Sequence, residues 1–207
     1  MPSTEWRLFL PNEGGSRLPS EALALTSLLD SVEPTVRTDV YIRANADMGV
    51  KRRGDGGLEV KALTERKVLG GGVGPGMVET FKKVKFGEGG TPDQIIEHLQ
   101  KTPGEGPSDE LQVLLRDPLE VQVVKTVRKK DIKAGKGKVS FEFTEVTATY
   151  SGMPEDFPKK WITFCAEGGI EEVDKFIGKK GKPLVPLMSV RGALQVGYPQ
   201  FVNMISS

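Results

Sequence analysis

The chain has 207 residues, and 29 Lys and Arg against 28 Asp and Glu leave a net charge of +1. That balance gives no general reason to expect nucleic acid or an anionic membrane as a partner, and the length suits a single domain, 1–207. One cysteine, Cys165, excludes an intramolecular disulfide, while one histidine, His98, excludes HExxH proteases and Cys/His zinc sites. Without a basic-then-apolar leader or an apolar run approaching about 18 residues, the expected location is soluble and cytoplasmic.

In chain order the predicted elements are mostly strands, recognised by polar–apolar alternation between Gly, Pro, Asn or Asp. The first covers residues 5–10. Ser20 can cap a helix over 21–30. Strands follow over 37–43, 48–53 and 58–62, the last two joined by Gly54-Asp55-Gly56-Gly57, which supplies the positive φ of a tight turn. The glycine-rich stretch 69–76 matches neither GxGxxG nor GxxxxGK[ST] in register and reads as a loop. Lys82-Lys83-Val84-Lys85 reads as a solvated strand edge or loop. Thr91-Pro92 opens a helix over 93–100, with Ile95, Ile96 and Leu99 as its apolar stripe and His98 solvated. After an irregular stretch at 102–108 come strands over 119–130, 139–150 and 161–167. A helix over 170–177 is stopped by Gly178. The remainder, 183–207, is expected to pack on the outside as a closing helix or strand. These elements predict an α+β fold, a mostly antiparallel barrel with helices outside.

The charges on the strands carry the functional signal. Residues i and i+2 share a face, which groups Glu5 with Arg7, Lys51 with Arg53, Glu59 with Lys61 and Glu142 with Thr144. Trp6, Leu8, Leu58, Val60, Phe141 and Phe143 fall on the opposite faces. Such polar faces are either wet or converge inside an open barrel. In the second case they would line a cavity suited to a polyanion, with carboxylates left over for Mg²⁺ or Mn²⁺. Trp6 and Trp161 are expected opposite the inward residues, in the core under the helices. Cys165 reads as structural or cavity-lining.

The order of these motifs resembles the CYTH superfamily, the triphosphate tunnel metalloenzymes. Glu5-Trp6-Arg7 resembles half of the ExExK strand that opens that family, and Arg37-Thr38-Asp39-Val40-Tyr41 the strand after it. Val50-Lys51-Arg52-Arg53 is similar to LRxR, and Leu58-Glu59-Val60-Lys61 to the strand ending in Lys. Val124-Lys125-Thr126-Val127-Arg128 resembles the basic strand, Phe141-Glu142-Phe143-Thr144 the acidic one, and Thr163-Phe164-Cys165-Ala166-Glu167 the last. Ser3, Thr144 and Cys165 stand where the family has a second carboxylate in each acidic pair.

The resemblance implies a small phosphorylated ligand, bound by Arg7, Lys51, Arg53, Lys61, Lys125 and Arg128. It further implies Mg²⁺ or Mn²⁺ on Glu5, Glu142 and Glu167, with Glu5, Lys61 and Glu142 as catalytic residues of a metal-dependent triphosphatase. The alternative is a barrel that binds an anionic ligand and has lost that chemistry. A lipocalin-like carrier of apolar ligands would need apolar residues at Lys51, Arg53 and Lys61.

Overall fold

A computed structural model describes residues 3–12, 20–54, 57–69, 76–86, 91–101, 109–155 and 159–206. The centre of the expected Asp55-Gly56 turn, the glycines at 70–75 and the stretch 102–108 lie outside them. Among the described residues there are eight strands: β1 (Ser3–Pro11), β2 (Thr35–Asn45), β3 (Met48–Arg53), β4 (Leu58–Val68), β5 (Met77–Lys85), β6 (Glu120–Ala134), β7 (Gly137–Tyr150) and β8 (Lys160–Gly168). They form a closed barrel in the order β1-β5-β4-β3-β2-β6-β7-β8. Every neighbouring pair is antiparallel, and β1 closes the ring by pairing Ser3 with Phe81 on β5 and Trp6 with Ala166 on β8. The β3–β4 hairpin sets Lys51 opposite Glu59, and Gly54 supplies the positive φ, 51°, where β3 ends.

Alternation decides which side chains face outwards, and helices cover them. The outer face of β1, β7 and β8 (Trp6, Leu8, Phe141, Phe143, Phe164) packs with residues of α1 (Ser20–Thr26) and α4 (Ile170–Lys179). Ile42, Val50, Leu58 and Val60 meet Ile95 and Ile96 of α2 (Pro92–Lys101) and Leu111 and Leu115 of α3 (Asp109–Arg116). Helix α1 ends earlier than the expected 30. The Thr26 and Ser27 hydroxyls donate to the Leu23 and Ala24 carbonyls, and the chain tightens into a 3₁₀ turn at Ser27–Leu29. His98 is half-buried, its ring 5.6 Å from that of Phe86.

Three expectations are corrected. The Lys82–Lys85 region is a barrel strand, because β5 fills the gap between β4 and β1. The C-terminal segment packs outside only in part: Leu184 and Leu187 join the outer core as expected, but α5 (Tyr198–Ile205) plugs one end of the lumen. Its Phe201 stacks on Phe9 at 4.0 Å between ring centres and meets Trp161 edge-on at 5.2 Å. Trp161 therefore lies inside, on the same face of β8 as Thr163, Cys165 and Glu167, which the i, i+2 rule requires.

Candidate functional site: a cation-lined tunnel

Inward rows change character along their length. On β6, Val121 and Val123 meet the α5 plug, whereas Lys125 and Lys129 continue the same face into the open half. On β1, Phe9 meets the plug and Arg7 and Glu5 continue. On β7, Ala148 and Val146 give way to Thr144 and Glu142. The apolar half is filled, and the polar half encloses a cavity of about 300 Å³, within the usual range for a small-molecule site.

Among the described residues, nine basic side chains from six strands line this cavity: Arg7, Arg37, Lys51, Arg53, Lys61, Lys83, Lys85, Lys125 and Lys129. Four carboxylates join them, Glu5, Glu59, Glu142 and Glu167. A fifth, Asp39, is fully buried and takes Lys125 at 2.7 Å, Arg53 at 3.1 Å and Arg37 at 3.8 Å. The lumen thus holds a surplus of four positive charges, nine against five. The fold is a closed antiparallel barrel with a cation-lined lumen.

Arg7 lies at the centre. Its Nη1 donates to Glu142 Oε1 at 3.3 Å and to Thr163 Oγ1 at 3.4 Å, and its Nε to Glu5 Oε1 at 3.3 Å. The guanidinium also sits 4.6 Å from the centre of the Tyr198 ring, a cation–π arrangement. Lys61 pairs with Glu5 Oε2 and stands 4.0 Å above the Phe81 ring. Lys125 donates to the Tyr41 hydroxyl at 2.9 Å and lies 3.6 Å from the Tyr198 ring centre. At the mouth, Glu167 takes Lys83 at 2.8 Å and Lys129 at 3.7 Å. The Tyr198 hydroxyl is buried without a hydrogen-bond partner among the described residues, although its residue lines the cavity.

These contacts set the ionisation states. Burial pushes the Glu5 carboxyl up, but Lys61 and Arg7 outweigh it and hold Glu5 well below the usual carboxylate range. Burial likewise opposes Asp39, which Lys125 and its other cations hold at about 2. Glu142 is depressed against its burial by Arg7, Arg37 and Lys125, and Glu167 against its own by Lys83. Burial lowers Lys51 and lowers Lys125 strongly, with Glu59 and Asp39 pulling back. Burial also pushes the Cys165 thiol up, so it is not a thiolate nucleophile.

Of the residues singled out from sequence, Glu5, Arg7, Lys51, Arg53, Lys61, Lys125, Glu142 and Glu167 share this one cavity. Arg128 does not. It lies on the outer face beside Asp30 and Glu145, because an even position cannot share a face with Lys125 on a regular strand. Lys129 takes the inward place instead. Sequence reasoning also missed Lys83 and Lys85, whose i, i+2 spacing was the available signal, and Tyr198, which only the folded plug brings in.

The three carboxylates expected to hold a divalent ion do not form a ligand set. Five of their six oxygens already carry an ammonium or guanidinium partner: both of Glu5, both of Glu167 and Oε1 of Glu142. Among the described residues no group of three or more His, Cys, Asp or Glu is placed to hold a metal. Thr144, donating to Glu142 Oε1 at 3.0 Å, and the protonated Cys165 add no charge. The donor set fits an anion, not a resident Mg²⁺ or Mn²⁺.

No protein-family model matches the chain, and no curated protein matches it either. Among solved structures it is similar to a Hippeastrum protein named for adenylyl cyclase and described as having a dominant triphosphatase activity. That pair shares 14% identity over 86% of this chain and 88% of the other, with a TM-score of 0.43. It is also similar to a protein of Pyrococcus horikoshii OT3, at 14% identity over 97% of each chain and a TM-score of 0.40. No helix among the described residues is long and apolar enough to cross a membrane.

Proposed function

We propose that the tunnel binds a triphosphate or another small phosphorylated molecule. The observation that carries this reading is the convergence of nine cations from six strands on one cavity of about 300 Å³. Lys and Arg are the natural partners of phosphate oxygens, through charge-assisted hydrogen bonds. An inward array of this size would be self-repulsive in the absence of an anion, and the five carboxylates offset only part of it. Ligand entry is from the open half, since α5 fills the other.

Hydrolysis of the bound ligand rests on the family resemblance alone. The unfitted metal donors favour the reading as a binder, and one experiment separates the two. Thermal unfolding is followed with inorganic phosphate, pyrophosphate, tripolyphosphate and nucleotides, and phosphate release is read from the same samples with Mg²⁺, Mn²⁺ or EDTA. Ligand at about 100 times Kd stabilises by about 2.7 kcal/mol, which for a domain of this size raises Tm by about 5–11 °C. A rise of that order with tripolyphosphate, absent in Lys61→Ala, supports the binding site. If no phosphorylated compound raises Tm, the proposal fails. Phosphate release lost in Glu142→Gln would add the hydrolase.

A further inference from the structure

We infer that the tunnel takes its phosphate ligand free of divalent metal, and that Mg²⁺ opposes binding instead of mediating it. The inference rests on the phosphate-binding reading above and goes beyond it, since it reverses the metal dependence that the resemblance implies.

Two observations carry it. The first is the occupant of the place where an ion would have to sit. Glu5 and Glu142 are joined by the Arg7 guanidinium, 3.3 Å from an oxygen of each. Arg7 is also held by Thr163 at 3.4 Å and by the face of Tyr198 at 4.6 Å, and it is only 7% exposed. It cannot swing into solvent without abandoning four contacts. A divalent ion between the same carboxylates would face a fixed positive charge at close range.

The second observation is charge balance. Nine cations against five carboxylates leave four positive charges without a protein counter-charge. Each phosphoryl group of a triphosphate carries one strongly acidic proton, and a free end group a further, weaker one, so the free ligand brings about four to five negative charges near neutral pH. The free anion therefore matches the lumen. Chelation by Mg²⁺ cancels two of those charges and occupies phosphate oxygens that Lys and Arg would otherwise take. An ion already on the ligand removes what the tunnel recognises.

The experiment is titration calorimetry of the wild-type chain with tripolyphosphate, in EDTA and in excess Mg²⁺, at matched ionic strength. Matching removes the general screening that salt imposes on any charged site. Binding in EDTA, weakened about tenfold or more by Mg²⁺, is the expected result. Tighter binding with Mg²⁺, or binding seen only with it, would overturn the inference while leaving the phosphate site intact. Binding in neither condition refutes the phosphate reading and this inference with it. A parallel thermal scan with Mn²⁺ alone should show no stabilisation. A rise in Tm of several degrees from the ion alone, lost in Glu142→Gln, would place a metal on the protein and overturn the inference independently.

Discussion

Asp39→Asn should destabilise the protein and at the same time tighten its grip on a phosphate ligand. Asp39 is fully buried on β2 and takes Lys125, Arg53 and Arg37 at 2.7, 3.1 and 3.8 Å. Removing its charge leaves the Lys125 ammonium, 1% exposed, near Lys51 with no compensating carboxylate. Deleting one partner of a buried pair costs about 3–5 kcal/mol. Arg53 is half-exposed and can turn to water, so the lower end, about 3 kcal/mol, applies. For a domain of about 200 residues this lowers Tm by about 6–12 °C. The amide meanwhile no longer competes with phosphate for the three basic side chains. Tripolyphosphate affinity should therefore increase, and saturating ligand should recover part of the lost Tm. The assay is thermal unfolding with and without tripolyphosphate, beside calorimetric affinity, on wild type and variant at pH 7. A Tm within about 2 °C of wild type, or affinity that falls together with stability, would refute the reasoning.

Lys61→Ala removes a charge-assisted contact of the kind worth about 1.5–3 kcal/mol, so tripolyphosphate affinity should drop at least tenfold by calorimetry. Unchanged affinity would remove the tunnel reading. Lys129→Ala should weaken the same binding, whereas Arg128→Ala, on the outer face, should leave it within about twofold, and the reverse ranking would contradict the assigned faces. Gly49→Val should loosen α5, since a Cβ there would lie 2.9 Å from Pro199 Cγ. Overpacking of this kind costs about 1–3 kcal/mol, and faster amide exchange across α5 would report it. Acid should unfold the protein through its carboxylates. Asp39 is held at about 2, and Glu5, Glu142 and Glu167 also lie below their ordinary values. Below about pH 4 the unfolded chain binds more protons than the folded one, so Tm should fall as pH drops from about 4 towards 2. A flat Tm across that interval would contradict the pairings.

Much of this architecture is legible residue by residue. Alternation alone sets Glu5 and Arg7 on one face and Trp6 and Leu8 on the other, as found. The expected hairpin from Gly49 to Lys61 forms, and the structure sets its register with Arg52 opposite Leu58 and Lys51 opposite Glu59. Strict parity would also have moved Arg128 out, Lys129 in and Trp161 inside, because a two-residue period admits no exceptions on a regular strand. Lys83 was readable in the same way once residues 77–85 were recognised as a strand, but a run of three lysines resembles a solvated edge equally well.

The sequence by itself determined which side chains share a face, since the strand period is a local property of the backbone. It thereby determined that cations and carboxylates stand apart from the apolar rows. Only the tertiary structure decided that these faces close on one another and enclose one cavity instead of facing water. It alone placed α5 inside, where Tyr198 lies under Arg7 and Lys125 from the far end of the chain. It alone showed that each expected metal-binding carboxylate already holds a cation. Pairing of this kind depends on which strands meet across a barrel, a long-range outcome that no local pattern encodes.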